Sequence, residues 1–156
     1  MKMIFKDIPE MICEKNCGLC CGIVAVTKEE YGFVQAYIAK HGITPQRQGS
    51  TCPFYQAGEC AVYPARPSTC ILFGHVPEMQ CPKGYSTLVI GDPNKYWRWM
   101  SNRAKFKDLK SLHMLAGYSS EEITELLSPE IIKTSEMLKD GRDRDLILSL
   151  LSHRLT

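Results

Sequence analysis

A mainly α fold with an irregular, loop-rich, metal-stapled N-terminal half is what the 156-residue sequence predicts, with a small α+β arrangement as the alternative. Three observations carry this. All eight cysteines lie between Cys13 and Cys81. The stretch from Gly49 to Gly91 is interrupted by Pro53, Pro64, Pro67, Pro77 and Pro82, which reads as turn and loop. From Asp92 onward the cysteines stop and capped helical segments follow one another. The chain therefore divides into a cysteine-cluster region, residues 1–91, and a helical region, residues 92–156, packed on it. Its length suits a single compact domain.

The elements follow in order. Gly22-Ile23-Val24-Ala25-Val26 reads as a short extended segment. Thr27 and Glu30 have the spacing of a capping box and open a helix through about Lys40, which Gly42 ends. Phe33, Val34, Tyr37 and Ile38 recur at helical spacing and are its expected core face. A short helix is expected from Pro67 to Phe73. Asp92-Pro93 caps and starts a helix to about Leu115, and Ser119 or Ser120 opens another. Ser128-Pro129 begins a third, and a fourth runs from Asp143 or Arg144 to Leu155 with Leu146, Ile147, Leu150 and Leu151 on one face.

Composition narrows the function classes. Nineteen basic and 17 acidic residues leave a net charge of +2, too small a field to argue for nucleic acid or membrane as partner. The opening residues are broken by Lys6, Asp7, Pro9 and Glu10, unlike a secretion signal, and no stretch approaches the roughly 20 apolar residues of a membrane helix. The expectation is a cytoplasmic protein. In reducing cytosol a cysteine-rich chain more often binds metal than forms disulfides, although eight cysteines would also suit four bridges.

The cysteines form two sets. Cys13, Cys17, Cys20 and Cys21 are close in sequence, whereas Cys52, Cys60, Cys70 and Cys81 are widely spaced. Thiolates are soft donors that select zinc, copper(I) or iron-sulfur over hard cations. All eight are candidate ligands. Adjacent side chains in an extended stretch point apart, so Cys20 and Cys21 are expected to divide. They would serve two centres, or one would be a ligand and the other a packed or reactive thiol. Four thiolates around a core of charge +2 leave −2 to be offset. Arg66, held between Pro64 and Pro67 and four residues from Cys70, is the candidate cation at the cofactor, with Lys15 a second by proximity. His75, between Cys70 and Cys81, is the one histidine placed to replace a thiolate, though a loop role suffices for it. His41, His113 and His153 are read as lying near helix C-termini, where their charge is favourable.

Cys13-x3-Cys17-x2-Cys20 also has the spacing of the radical-SAM motif, but no strand-helix alternation of an α/β barrel follows. Lys95, Arg98, Arg103, Lys105, Lys107 and Lys110 accompany Tyr96, Trp97, Trp99 and Phe106, a combination that can grip nucleic acid. A core face of aromatics with a solvated basic side explains the same pattern more simply.

The order Cys17-Gly-Leu-Cys20-Cys21, an apolar strand, the Thr27 helix start, Cys52-Pro-Phe, Cys60-Ala-Val-Tyr63, Arg66-Pro67 and Cys70 resembles the YkgJ-type cysteine-cluster family, over about residues 13 to 81. The spacing departs from the family pattern by three rather than two residues between Cys13 and Cys17. The resemblance implies zinc or iron chelation, often as an iron-sulfur oxidoreductase, and includes a domain similar to that of flagellin lysine N-methylases. It implies no settled reaction, and no catalytic residue stands out. The expected function is a metal-binding protein with a 4Fe-4S cluster in a redox or modification-supporting role, with a redox or protein partner. The alternative is a structural zinc module that presents a binding surface without catalysis.

Overall fold

The computed structural model describes Ile8 and residues 14–75, 79–85 and 110–127. Within these, helices and two small antiparallel sheets occur together, an α+β arrangement. The first elements are strand β1 (Ala25–Val26) and helix α1 (Lys28–His41). Strands β2 (Tyr55–Gln56) and β3 (Glu59–Cys60) form a hairpin, followed by a 3-10 turn at Tyr63–Ala65 and helix α2 (Ser68–Leu72). Strand β4 (Lys110–Ser111) pairs with β1, and a 3-10 helix, Leu112–Ala116, leads to helix α3, residues 120–127.

Helix α1 starts where the sequence places it. Thr27 Oγ1 accepts from the Glu30 amide at 3.2 Å while Glu30 returns a carboxylate oxygen to the Thr27 amide at 2.9 Å. Gly42 ends the helix at φ 64° with its amide donating to the Ile38 carbonyl. Of the expected core positions, Val34 is fully buried, and Tyr37 and Ile38 pack partly buried against the core. Phe33 is the correction: it is 47% exposed, because α1 turns only a narrow stripe inward. Helix α2 also falls within its expected range.

Glu30 does more than close the capping box. It is buried, and its other oxygen accepts from the amide of Ser68 at 3.0 Å and from the Ser68 hydroxyl. Ser68 opens α2, so one carboxylate satisfies orphan amides at the starts of two helices.

The helix expected to run to about Leu115 fails in its described part. Ala25 pairs with Ser111 and Val26 with Lys110, so this segment completes a sheet before turning into the 3-10 helix. Backbone pairing to β1 and burial of Leu112 beside Val26, Val34, Cys52, Phe54 and Val62 override its local helical preference. The remainder of that helix, residues 92–109, and the helices expected beyond residue 127 lie outside the described residues. Helix α3 does begin as expected. Ser119 and Glu122 exchange a second capping box, at 3.2 and 2.8 Å.

His113 lies in the last turn of the 3-10 helix, near a helix C-terminus as expected, but it is fully buried, edge-on to Tyr118 at 5.4 Å, so a favourable charge at the helix end does not explain it. Neither ring nitrogen has a hydrogen-bond partner among the described residues. Burial holds it below its ordinary pKa of 6.5; the backbone of Gly49, Ser50 and Thr51 lies close enough to oppose that shift, but not in hydrogen-bond geometry. His41 keeps its expected place in the last turn of α1, against Tyr37. His153 lies outside the described residues.

Three outcomes follow from this packing. Replacing Glu30 with Ala should cost about 2–4 kcal/mol in urea unfolding, because buried donors on two helices lose their acceptor, and Glu30→Gln should cost less. Gly32→Ala, in open space within α1, should stabilise by roughly 0.5–1 kcal/mol, whereas Gly58→Ala should destabilise, since it would force a side chain at φ 80° into the Asn16 amide oxygen. Because the folded state binds the His113 proton more weakly than the unfolded chain, stability should be complete above pH 6.5 and fall as pH drops through it. Urea midpoints at pH 7.5 and 5.5 would show this, and His113→Gln should flatten the difference.

Candidate metal centre

The first part of the site is a turn. Cys21 N donates to Gly18 O at 2.9 Å, so residues 18–21 form a tight bend rather than an extended stretch. Gly18 sits at φ 58° with the Tyr55 ring so close that an added Cβ would lie 2.6 Å from Cζ. The bend is docked from two directions. Asn16 N donates to Gly58 O at 3.1 Å, fixing it to the hairpin turn. Cys52 N donates to Cys21 O at 2.8 Å, joining it to the following loop.

That loop is held in turn by Gln48, whose side-chain amide donates to the carbonyls of Cys52 at 2.6 Å and Tyr55 at 3.0 Å. Hairpin pairing of Tyr55 with Cys60 then sets the third cysteine position. Helix α2, anchored through Ser68 to Glu30, carries Cys70. Four separate stretches thereby deliver Cys20, Cys21, Cys52, Cys60 and Cys70 to the wall of one cavity of about 400 Å³.

Cys20 and Cys21 were expected to point apart, and the turn overrides that expectation. Both line the same cavity, and the Cys21 thiol donates to Cys20. This hydrogen bond is the main reason that Cys20 is pulled down to about 6; it pushes Cys21 strongly up. Burial pushes Cys52 up to about 11 and also raises Cys60 and Cys70. The sulfurs feel one another: Cys20 acts on Cys21, Cys52, Cys60 and Cys70.

Arg66 lies at this cluster. It lines the cavity, and its charge favours the thiolates of Cys20, Cys60 and Cys70. Its Nε donates to Tyr63 O at 3.0 Å and its guanidinium lies 3.4 Å from the Tyr63 ring centroid, a restrained position between two prolines. Lys15 reaches only the exposed rim, where it pairs with Glu59 at 3.5 Å. His75 lies in the turn after α2, buried on the cavity wall, with its pKa lowered by burial and then by Arg66.

The other cysteines lie elsewhere. Cys17 falls within the field of Lys83, which bonds Glu14 at 2.8 Å. Cys81 begins a turn closed by Gly84 N donating to Cys81 O at 3.0 Å. Neither lines the cavity that holds the other five. Cys13 lies outside the described residues. Two participants escaped the sequence reading: the Tyr55 ring packed over Gly18, and the second bond of Glu30. The capping box disclosed one oxygen of Glu30, but nothing local announced Ser68 as partner of the other.

Among the described residues no three Cys, His, Asp or Glu side chains are already close enough to clasp an ion. The donor set nonetheless suits a soft metal. Five thiols, one restrained cation and walls that include Val24, Val62, Ile71, Phe73 and Leu112 bring soft donors, a compensating charge and an apolar lining together in one place. Cys20, Cys21, Cys52, Cys60 and Cys70 are the residues that could hold such a metal. Among the described residues no helix is long and apolar enough to cross a membrane.

No curated protein and no solved structure matches the chain. A family profile does, over residues 12–102, which takes in the bend, the loop, the hairpin and α2. With more than half of its length covered, the chain belongs to the CxxCxxCC family, described as "Putative zinc- or iron-chelating domain".

Proposed function

We propose that the cavity binds a thiolate-held iron-sulfur cluster and that the protein serves a redox or modification-supporting role with a protein partner in the cytoplasm. The observation that carries this reading is the gathering of five cysteines from four stretches of chain on one cavity with Arg66 beside them. Thiolate ligation leaves a negatively charged centre. A guanidinium fixed over Tyr63 offsets part of that charge at little entropic cost, because the side chain is already restrained.

Two features favour a cluster over a lone zinc ion. Structural zinc sites usually draw ligands from two close pairs, whereas Cys52, Cys60 and Cys70 each arrive singly. A single ion with sulfur at about 2.3 Å also needs far less space than the cavity has. A zinc module remains the alternative, and the metal content separates the two. When bound, a cluster would supply one-electron chemistry; the chain's own part is to ligate it, compensate its charge and keep water from its sulfurs.

The test is anaerobic preparation with iron and sulfide, followed by metal and acid-labile sulfide analysis and a visible spectrum. About four irons and four sulfides per chain with charge-transfer absorption support the proposal. Zinc without sulfide or colour moves the assignment to the structural module. Serine in place of Cys52, Cys60 or Cys70 should each lower metal affinity at least ~10-fold, while Cys81→Ser should leave the cavity centre intact.

A further inference from the structure

The cavity is larger than its metal needs and has a lining of two chemical kinds. Counted at the ~30 Å³ that a water occupies for each atom, a core of four irons and four sulfides would fill a little over half of it. What is left by that count, less than about 200 Å³, is room for a ligand of a few heavy atoms beside the metal. The thiols form one part of the wall, and Val24, Val62, Ile71, Phe73 and Leu112 give it apolar surface. Exposed Tyr63, Lys15 and Glu59 on the same wall bring it to the molecular surface.

The charges at this wall are not equivalent. Lys15 is bonded to Glu59, and Glu14 to Lys83. Arg66 pairs with no carboxylate among the described residues. Among the described residues only its Nε is committed, to the Tyr63 carbonyl, and the terminal nitrogens of this pre-oriented fork have the geometry to take a planar, bidentate anion. The metal-thiolate centre beside it is anionic and would repel a ligand that was only an acid. A zwitterion satisfies both: its carboxylate meets the guanidinium and its ammonium meets the thiolate side.

We propose that the cavity binds a free α-amino acid with an aliphatic side chain, its carboxylate on Arg66, its ammonium toward the metal-thiolate centre and its side chain on the apolar wall. The ammonium contact rests on the reading that the thiolates hold a metal. The carboxylate contact stands on Arg66 alone.

The metal-loaded protein is titrated, by ligand-observed NMR, with L-leucine, with 4-methylpentanoate, which lacks the ammonium, and with 3-methylbutan-1-amine, which lacks the carboxylate. Leucine should bind at least ~10-fold more tightly than either analogue. Arg66→Met should reduce leucine to the level that the amine shows in the same variant, with the metal content of the variant measured alongside. Removing the metal should bring leucine toward the acid. Equal binding of the three compounds, or unaltered leucine binding in the variant, overturns the proposal. Metal analysis of the same sample reports on the cluster separately. A protein without metal that still prefers leucine to the amine through Arg66 would sink the cluster reading and the ammonium contact but keep the carboxylate site.

Discussion

The buried carboxylate of Glu30 is the constraint on which the described structure depends. A carboxyl group under a few per cent exposed is costly unless its oxygens are satisfied, and here they are satisfied by amides that themselves need acceptors. The Thr27 amide lies at the end of β1 and the Ser68 amide at the start of α2. One side chain thus fixes the 14-residue helix to the short helix that carries Cys70, across 38 positions of sequence. A five-residue helix would not form alone, since nucleation is unfavourable and few bonds repay it.

Around this clamp the cysteine-bearing turns are held by backbone bonds rather than by bulk. Asn16 to Gly58, Cys52 to Cys21 and Gln48 to the Cys52 carbonyl tie three loops into one wall. On the other side of the loop, Arg47 stacks on Tyr118 at 3.9 Å and donates to Gly117 O and Glu122. Its ion pair with Glu122 is half exposed and contributes little as a charge pair, but the three contacts together locate the loop against the segment before α3. The small core of Val26, Val34, Phe54, Val62 and Leu112 joins residues from both sides of this loop.

Ionised thiols are costly over most of the cavity. Burial disfavours thiolates at Cys52, Cys60 and Cys70, and every ionised neighbour makes the next more costly. Arg66 relieves this for three of the five, and the Cys21 thiol relieves it for Cys20. A metal cation would remove the penalty for all of them at once, which is how metal binding and the closing of loop-rich folds become one equilibrium.

The sequence by itself determined the elements governed by local chemistry. The capping boxes at Thr27 and Ser119, the left-handed stop at Gly42, the short helix after Pro67 and the family-specific order of cysteines are all written within a few residues of where they act. Only the tertiary structure decided that Cys20 and Cys21 share a wall, that Lys110 and Ser111 leave a helix to pair with β1, and that Phe33 faces solvent while His113 does not. These depend on partners that arrive from distant sequence, where the free energy of a backbone pairing or of burying a ring exceeds any local preference, and no spacing rule records the partner's position.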